Sequence, residues 1–471
     1  MIEQTMVTVN CLPPEILMRI FHIVVADPCT FYPYYSSYTK QYYRYPRYLD
    51  YLVQVCSLWR TIAISAQTLW RHIDLSPNKP FYDGLVYRAI NYMARAGELP
   101  IELHIAVPET SSLALKHDEA HQLISLISSR VESLELTMAG SFQEFHRGVF
   151  KLLLCQRSAL TKLVLRSQAY HYNCFLVATS FASPWEDDYT GPQKLDLTEE
   201  EIERSFASLT ILHLRGIFPL WSSMAYHGLA DLRLLSTNTW SYIQEKEFID
   251  ILKSCPGLQI LHFQLEIHSP TPVAEKVTPV ILQDLQVVKI ITSIEEESAL
   301  CPSNVLRILA PGTKFLRLSF EGYYRQKPGV IAEFERFFAR SRVARFYSQT
   351  VLPPLDLLLH QSTHLDQVIL NSIQTSYHTR LSPWLEVDKL ALLPRLRSIQ
   401  ITRSGLYDHA LRLLLSYCPD GIVLINCDIY HSYDSTTFDA QEISKAFPTV
   451  VIMNGDVYSS RSPIADWDSI D

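Results

Sequence analysis

From about residue 99 onward the chain returns again and again to one spacing, apolar-x-x-apolar-x-apolar. It is seen at Val131, Leu134 and Leu136, at Leu160, Leu163 and Leu165, at Leu209, Leu212 and Leu214, and at Leu229, Leu232 and Leu234. Further copies are Leu258/Leu261/Phe263, Leu285/Val288/Ile290, Leu365/Val368/Leu370 and Leu396/Ile399/Ile401. Weaker ones lie at Leu103/Ile105, Leu316/Leu318, Ile422/Leu424 and Val450/Ile452. Apolar residues two apart share one face of a strand, so each copy is a short strand with one greasy side. Several intervals fall between about 20 and 31 residues, and a unit of that size buries its apolar side only by stacking on its neighbours. Between the strands the segments 119–129, 244–254, 304–309, 331–340 and 410–417 have helical spacing. Strand, helix, strand in repetition predicts a parallel sheet, because parallel strands need crossovers and helices supply them.

The spacing resembles the strand segment of a leucine-rich repeat. That resemblance implies an α/β fold over 99–455, an irregular solenoid with a parallel sheet on its concave side and helices outside. The repeats are irregular because an asparagine follows the strand only at Asn371 and Asn426. The segment 167–204, with Pro184, Pro192 and the acidic run 186–188, is read as a loop excursion. Residues 456–471 are read as an acidic tail, frayed over 465–471.

The N-terminal part is different. Leu12, Pro13, Pro14 and Glu15 start a helix, since proline is tolerated in a first turn. Ile16, Leu17, Ile20, Phe21 and Val24 follow at helical spacing. Leu52, Val55, Cys56, Trp59, Ile62 and Ala63 repeat the pattern, and Leu69, Trp70 and Ile73 add a short apolar turn. Taken in order, Leu-Pro-Pro-Glu-Ile-Leu, Val-Cys-x-x-Trp-Arg-x-Ile-Ala and Leu-Trp resemble the F-box motif, as found in the large F-box families of mushroom-forming fungi. In that family three short helices dock on the adaptor Skp1 and so join a substrate to a cullin-based ubiquitin ligase. The resemblance implies a Skp1-binding surface made from Leu12, Pro13, Ile16, Leu17, Ile20, Val55, Cys56, Trp59, Ile62 and Trp70. The motif covers 10–75, with 76–98 as a linker helix. It departs from the family in an insert, 26–50, rich in tyrosine from Tyr32 to Tyr48 and carrying Pro28, Pro33 and Pro46. The insert is read as an irregular loop.

Composition excludes several function classes. With 48% hydrophobic and 19% charged residues the chain is that of a folded protein, and no run approaches the roughly 18 apolar residues of a membrane span. A net charge of -8 argues against nucleic acid as partner. Nine cysteines without a C-x-x-C pair give neither a disulfide framework nor a zinc spacing, and with no signal-peptide pattern the expected location is cytoplasmic or nuclear. Asp118-Glu119-Ala120-His121 spells a helicase box, but no Gly-Lys dipeptide exists to cradle a phosphate. No nucleophile elbow, zinc helix or dinucleotide turn is present either, so no catalytic residue, metal or cofactor is expected.

One row remains. The residue between the last two apolar positions of a strand points away from the core, and in five successive copies it is His213, Arg233, His262, Lys289 and Arg317. Arg166 and Arg215 fall on the same face. On an acidic chain this predicts a basic stripe for an acidic or phosphorylated protein substrate, with the histidines strengthening binding as pH falls toward about 6.5. Three readings stay open: a substrate receptor of a ubiquitin ligase, an F-box scaffold acting without ubiquitin transfer, and an enzyme with an unrecognised site.

Overall fold

The computed structural model describes residues 9–25, 48–77, 82–107, 117–140, 142–155, 160–168, 174–182, 192–237, 241–272, 277–292, 301–322, 328–375, 396–419, 421–432, 436–453 and 462–468. The tyrosine-rich insert, except its last residues 48–50, lies outside them, as do the acidic run 186–188 and residues 456–461 and 469–471 of the tail. The chain divides into two compact units, Met1–Ala225 and Tyr226–Asp471.

The first unit opens with three helices, α1 (Pro14–Val25), α2 (Tyr48–Val55) and α3 (Ser57–Ser65), and a 3-10 turn at Gln67–Trp70. Cys56 precedes α3 in extended conformation and its Sγ accepts the Trp59 amide at 3.5 Å, so a thiol serves as the cap. Phe21 of α1 packs on Trp59 with ring centroids 4.9 Å apart. Trp70 is fully buried, its indole N–H donating to the Ala63 carbonyl at 2.8 Å. Behind it stands α4 (Tyr82–Ala96), within the expected linker helix: Tyr92 meets Trp70 edge-on and donates to Asp50 at 3.1 Å, and Arg95 lies over the indole.

A parallel sheet follows. It begins at β1 (His72–Leu75), before the expected boundary at 99, and continues through β2 (Ile101–Val107), β3 (Val131–Met138), β4 (Lys162–Ser167) and β5 (Ile211–Arg215). Each strand pairs in parallel with the next. Crossovers contain α5 (His117–Ile127), α6 (Glu144–Leu154) and α7 (Glu199–Phe206). The reading of 167–204 as a loop excursion is corrected: the segment contributes two strands, Cys174–Ala178 and Gln193–Leu195, to a small parallel sheet completed by Ile217–Pro219, and Thr198 with Glu201 forms a capping box that starts α7.

Among the described residues the second unit has three two-stranded parallel sheets and, in its large sheet, nine parallel strands. They are β6 (Asp231–Leu235), β7 (Ile260–Phe263), β8 (Val287–Ile291), β9 (Leu316–Glu321), β10 (Val343–Gln349), β11 (Gln367–Asn371), β12 (Ser398–Thr402), β13 (Ile422–Ile425) and β14 (Val450–Met453). They lie side by side in chain order. The crossovers hold α8 (Glu245–Lys253), α9 (Pro302–Leu306), α10 (Pro328–Arg340), α11 (Leu355–Gln361), α12 (Asp408–Tyr417) and α13 (Ala440–Ala446). The α/β class and the parallel pairing expected from the spacing are thus observed. The core is the apolar row itself: Leu232, Leu234, Leu261, Phe263, Val288, Ile290, Leu318, Phe320, Val368, Leu370, Ile399 and Ile401 are all sealed from solvent. Each such side chain contributes roughly 1.5–3 kcal/mol by leaving water.

The tail departs from expectation. Residues 462–468 are not frayed: Ile464 and Trp467 are 5% and 3% exposed and join Tyr347 and Ile369 in one apolar cluster. Two tight turns, Ala465 N–H to Ser462 O and Trp467 N–H to Ile464 O, each at 3.0 Å, shape the segment.

Candidate functional site

Two surfaces collect the residues singled out from the sequence. On the N-terminal helices those residues separate into two sets. Leu17, Ile62 and Trp70 are buried in the helices' own core and hold them together. Leu12, Ile20, Cys56 and Trp59 are half-buried, while Pro13, Ile16 and Val55 are exposed. The same N-terminal segment carries further exposed apolar side chains: Val9, Ile23, Val24, Tyr51, Leu58 and Ile64. Ile23 at 68% and Val55 at 58% exposure are costly side chains to leave in water.

The second surface is the polar side of the second unit's sheet. Arg233, His262 and Lys289 stand in register on three neighbouring strands. The expected row of five is corrected in one respect: Arg317 pairs with Val287, so Ser319 is the residue level with Lys289, while His213 lies in the first unit. Arg317 keeps to the same face, because a shift of two residues preserves side-chain direction.

Nor is the row an open basic stripe. Arg233 is held by Asp231 at 2.8 Å and Lys289 by Glu321 at 2.6 Å. Asp468, from the tail, bridges Arg233 Nη1 at 2.7 Å and His262 Nε2 at 3.0 Å, and Arg317 donates to the Trp467 carbonyl at 2.7 Å. Burial alone would raise the Asp468 carboxyl, but His262, Arg233 and Lys289 outweigh it and hold it at about 2. Burial pushes His262 below its usual value, with Arg233 and Lys289 adding to the effect against Asp468. Its protonation therefore comes at lower pH than an exposed histidine's.

In the first unit the same strand position carries a charge ladder that the sequence reading passed over. Asp74 takes Arg88 on one oxygen at 3.1 Å and His72 and His104 on the other at 3.2 Å each. Beyond His104 lies Glu135 at 3.6 Å, which also pairs with Arg166. Despite its burial, the two histidines hold Asp74 far below the ordinary carboxylate range. His72, Asp74 and His104 are metal-ligand types within 4.8 Å of one another. However, Arg88 already neutralises the Asp74 carboxylate and would repel a cation, so the group is read as a polar network built on the Arg88–Asp74 ion pair. Applying the apolar-x-apolar rule to Ile73-Asp74-Leu75, Leu103-His104-Ile105 and Leu134-Glu135-Leu136 finds the row. On the same face Arg166 and Arg215 are level with each other, and burial together with Arg166 pushes the Arg215 guanidinium down.

A cavity of about 520 Å³ lies among Leu176, Phe181, Ile202, Phe206, Pro219 and Met224, with Glu199 and Glu203 at its wall. Glu203 is engaged structurally, accepting from the Ser223 hydroxyl at 3.0 Å and the Met224 amide at 2.5 Å. Among the described residues no helix is long and apolar enough to cross a membrane. No family model matches the chain, and no curated protein matches it.

Proposed function

We propose that the chain is the substrate-recognition subunit of a Skp1-cullin-F-box type ubiquitin ligase, an F-box followed by an irregular leucine-rich-repeat solenoid. The observation that carries this reading is the apolar surface of the first three helices. Pro13, Ile16 and Val55, at the ordered F-box positions, are exposed, as are Ile23, Tyr51 and Leu58 of those three helices. A helical face of that kind suits burial in a groove on another protein. The parallel sheet gives the second half of the reading, since its polar side already accepts a peptide segment, 462–468, through side chains outside the core. In this account Skp1 takes the helices, a cullin joins through Skp1, and the sheet takes a protein substrate.

The test is co-purification with Skp1 of the full chain and of a triple variant, Leu12→Ala, Pro13→Ala and Ile16→Ala. None of the three is buried, so the variant should melt within about 3 °C of the parent while Skp1 capture falls about 30-fold or more. Undiminished capture would show that these residues are not the docking surface.

A further inference from the structure

Residues 462–468 make apolar, backbone and charged contacts with the second unit's sheet. Ile464 and Trp467 are buried against Tyr347 and Ile369, side chains on the polar side of β10 and β11, with the Trp467 ring edge-on to Tyr347 at 6.5 Å. The Trp467 backbone carbonyl is taken by Arg317 and the next side chain, Asp468, by Arg233 and His262. One aromatic anchor in an apolar seat, flanked by a carboxylate on a guanidinium, is the arrangement that dominates binding energy at protein interfaces. The sheet does not need it: the apolar row of Leu232, Leu261, Val288 and Leu318 is sealed on the opposite side. Between Met453 of the last strand and Ile464 lie ten residues, a contour of roughly 30 Å. From β14 to β11 is three strand spacings, about 14 Å. Ten residues are thus more than enough to span the distance from the last strand to the seat.

We infer that the polar side of the second unit's sheet recognises a partner segment with an aliphatic residue, two spacers and then Trp-Asp, and that the chain's own Ile464-Ala-Asp-Trp467-Asp468 is a displaceable occupant of that site. The inference deepens the proposed function and rests on its reading of the sheet as the partner-binding side, but not on Skp1. It replaces a generally acidic ligand by a specific one: the carboxylate must follow an aromatic residue, because Tyr347 and Ile369 seat the ring and Arg233 with His262 lie beyond it. Charge alone is satisfied locally by Asp231 at Arg233 and by Glu321 at Lys289. An acidic peptide lacking the aromatic anchor therefore gains little.

The probe is a fluorescein-labelled peptide of residues 460–471, read by polarisation against the full chain. In the wild-type chain the site is filled, and apparent affinity falls in proportion to the open fraction. In the full-length double variant Trp467→Ala, Asp468→Ala the seat is vacated, and peptide binding should tighten about tenfold or more. The same peptide with both residues changed to alanine should not bind, and Arg233→Glu added to the double variant should abolish binding of the natural peptide. If the double variant binds no better than wild type, or if Arg233→Glu changes nothing, the inference is overturned. Should the double variant melt far below the parent, Asp468→Asn alone, at a partly exposed position, is expected to give a smaller gain in binding, and no gain overturns the inference equally. A wild-type chain that dimerises by exchanging tails would make the occupant a second copy and would also overturn it. Skp1 capture by the double variant should be unchanged, so loss of peptide binding and loss of Skp1 binding report on separate claims.

Discussion

Asp468 forms its two charged contacts across the sheet at a position 35% exposed, and the pH dependence of those contacts has a definite sign. A carboxyl held at about 2 in the folded chain against an ordinary 3.8 adds stability above about pH 4, and that addition disappears as pH falls through 2. With its exposure discounted for solvent screening the contribution is of order 1 kcal/mol or less. Wild type and Asp468→Asn should therefore differ in urea midpoint at pH 6 and converge near pH 2; a difference that persists undiminished at pH 2 would contradict this. The charged residues of this face were legible one at a time but not as a set. Spacing placed Arg233, His262 and Lys289 on one side of three strands, which the register bears out. What it could not give was their neutralisation by Asp231 and Glu321, or by an aspartate more than 200 residues away in sequence. Arg317 was set level with Lys289 because Leu316 and Leu318 look like the last two apolar positions, whereas Leu318 and Phe320 hold those places.

At the level of single elements the strands were the most legible parts, because an apolar row of period two has few other ways to be buried. Of the strands β1 to β14, two lie outside the copies of the spacing. Val343–Gln349 has Phe346 and then Ser348 where leucines were sought, the serine being buried and donating its hydroxyl to Val351 O at 2.7 Å. His72–Leu75 falls, by sequence, at the end of the helical motif. The ends of the strands show a regularity that residue identity conceals. The residue just past β5, β9, β10, β11, β12 and β13 has positive φ, and it is Gly216, Gly322, Thr350, Ser372, Arg403 and Asn426 in turn. Asn371 and Asn426, matched to each other in sequence, are thus different: Asn371 ends a strand and accepts from Thr402 at 2.8 Å, whereas Asn426 makes the left-handed turn. Gly322 is the least replaceable of these, since its φ is +90° and a Cβ there would meet the Thr292 carbonyl oxygen at 2.2 Å. Gly322→Ala should cost about 2–4 kcal/mol in chemical denaturation; a loss below about 0.5 kcal/mol would contradict the close approach.

At the scale of the whole molecule the two proposed binding roles fall on separate sets of residues, so that one can be removed without the other. Helix position and apolar type were readable in the N-terminal motif, while the division between Leu17, Ile62 and Trp70 as internal core and Pro13, Ile16 and Val55 as surface required the packing. Sequence could not make that division because both sets are apolar and recur at the same helical spacing. The most direct measurement is hydrogen exchange on the full chain, alone and with an excess of purified Skp1. New protection is expected within Pro14–Val25, Tyr48–Val55 and Ser57–Ser65, with unchanged exchange along the second unit's strands and residues 462–468. No protection in the three helices, or protection on the strands of the second unit instead, would contradict it.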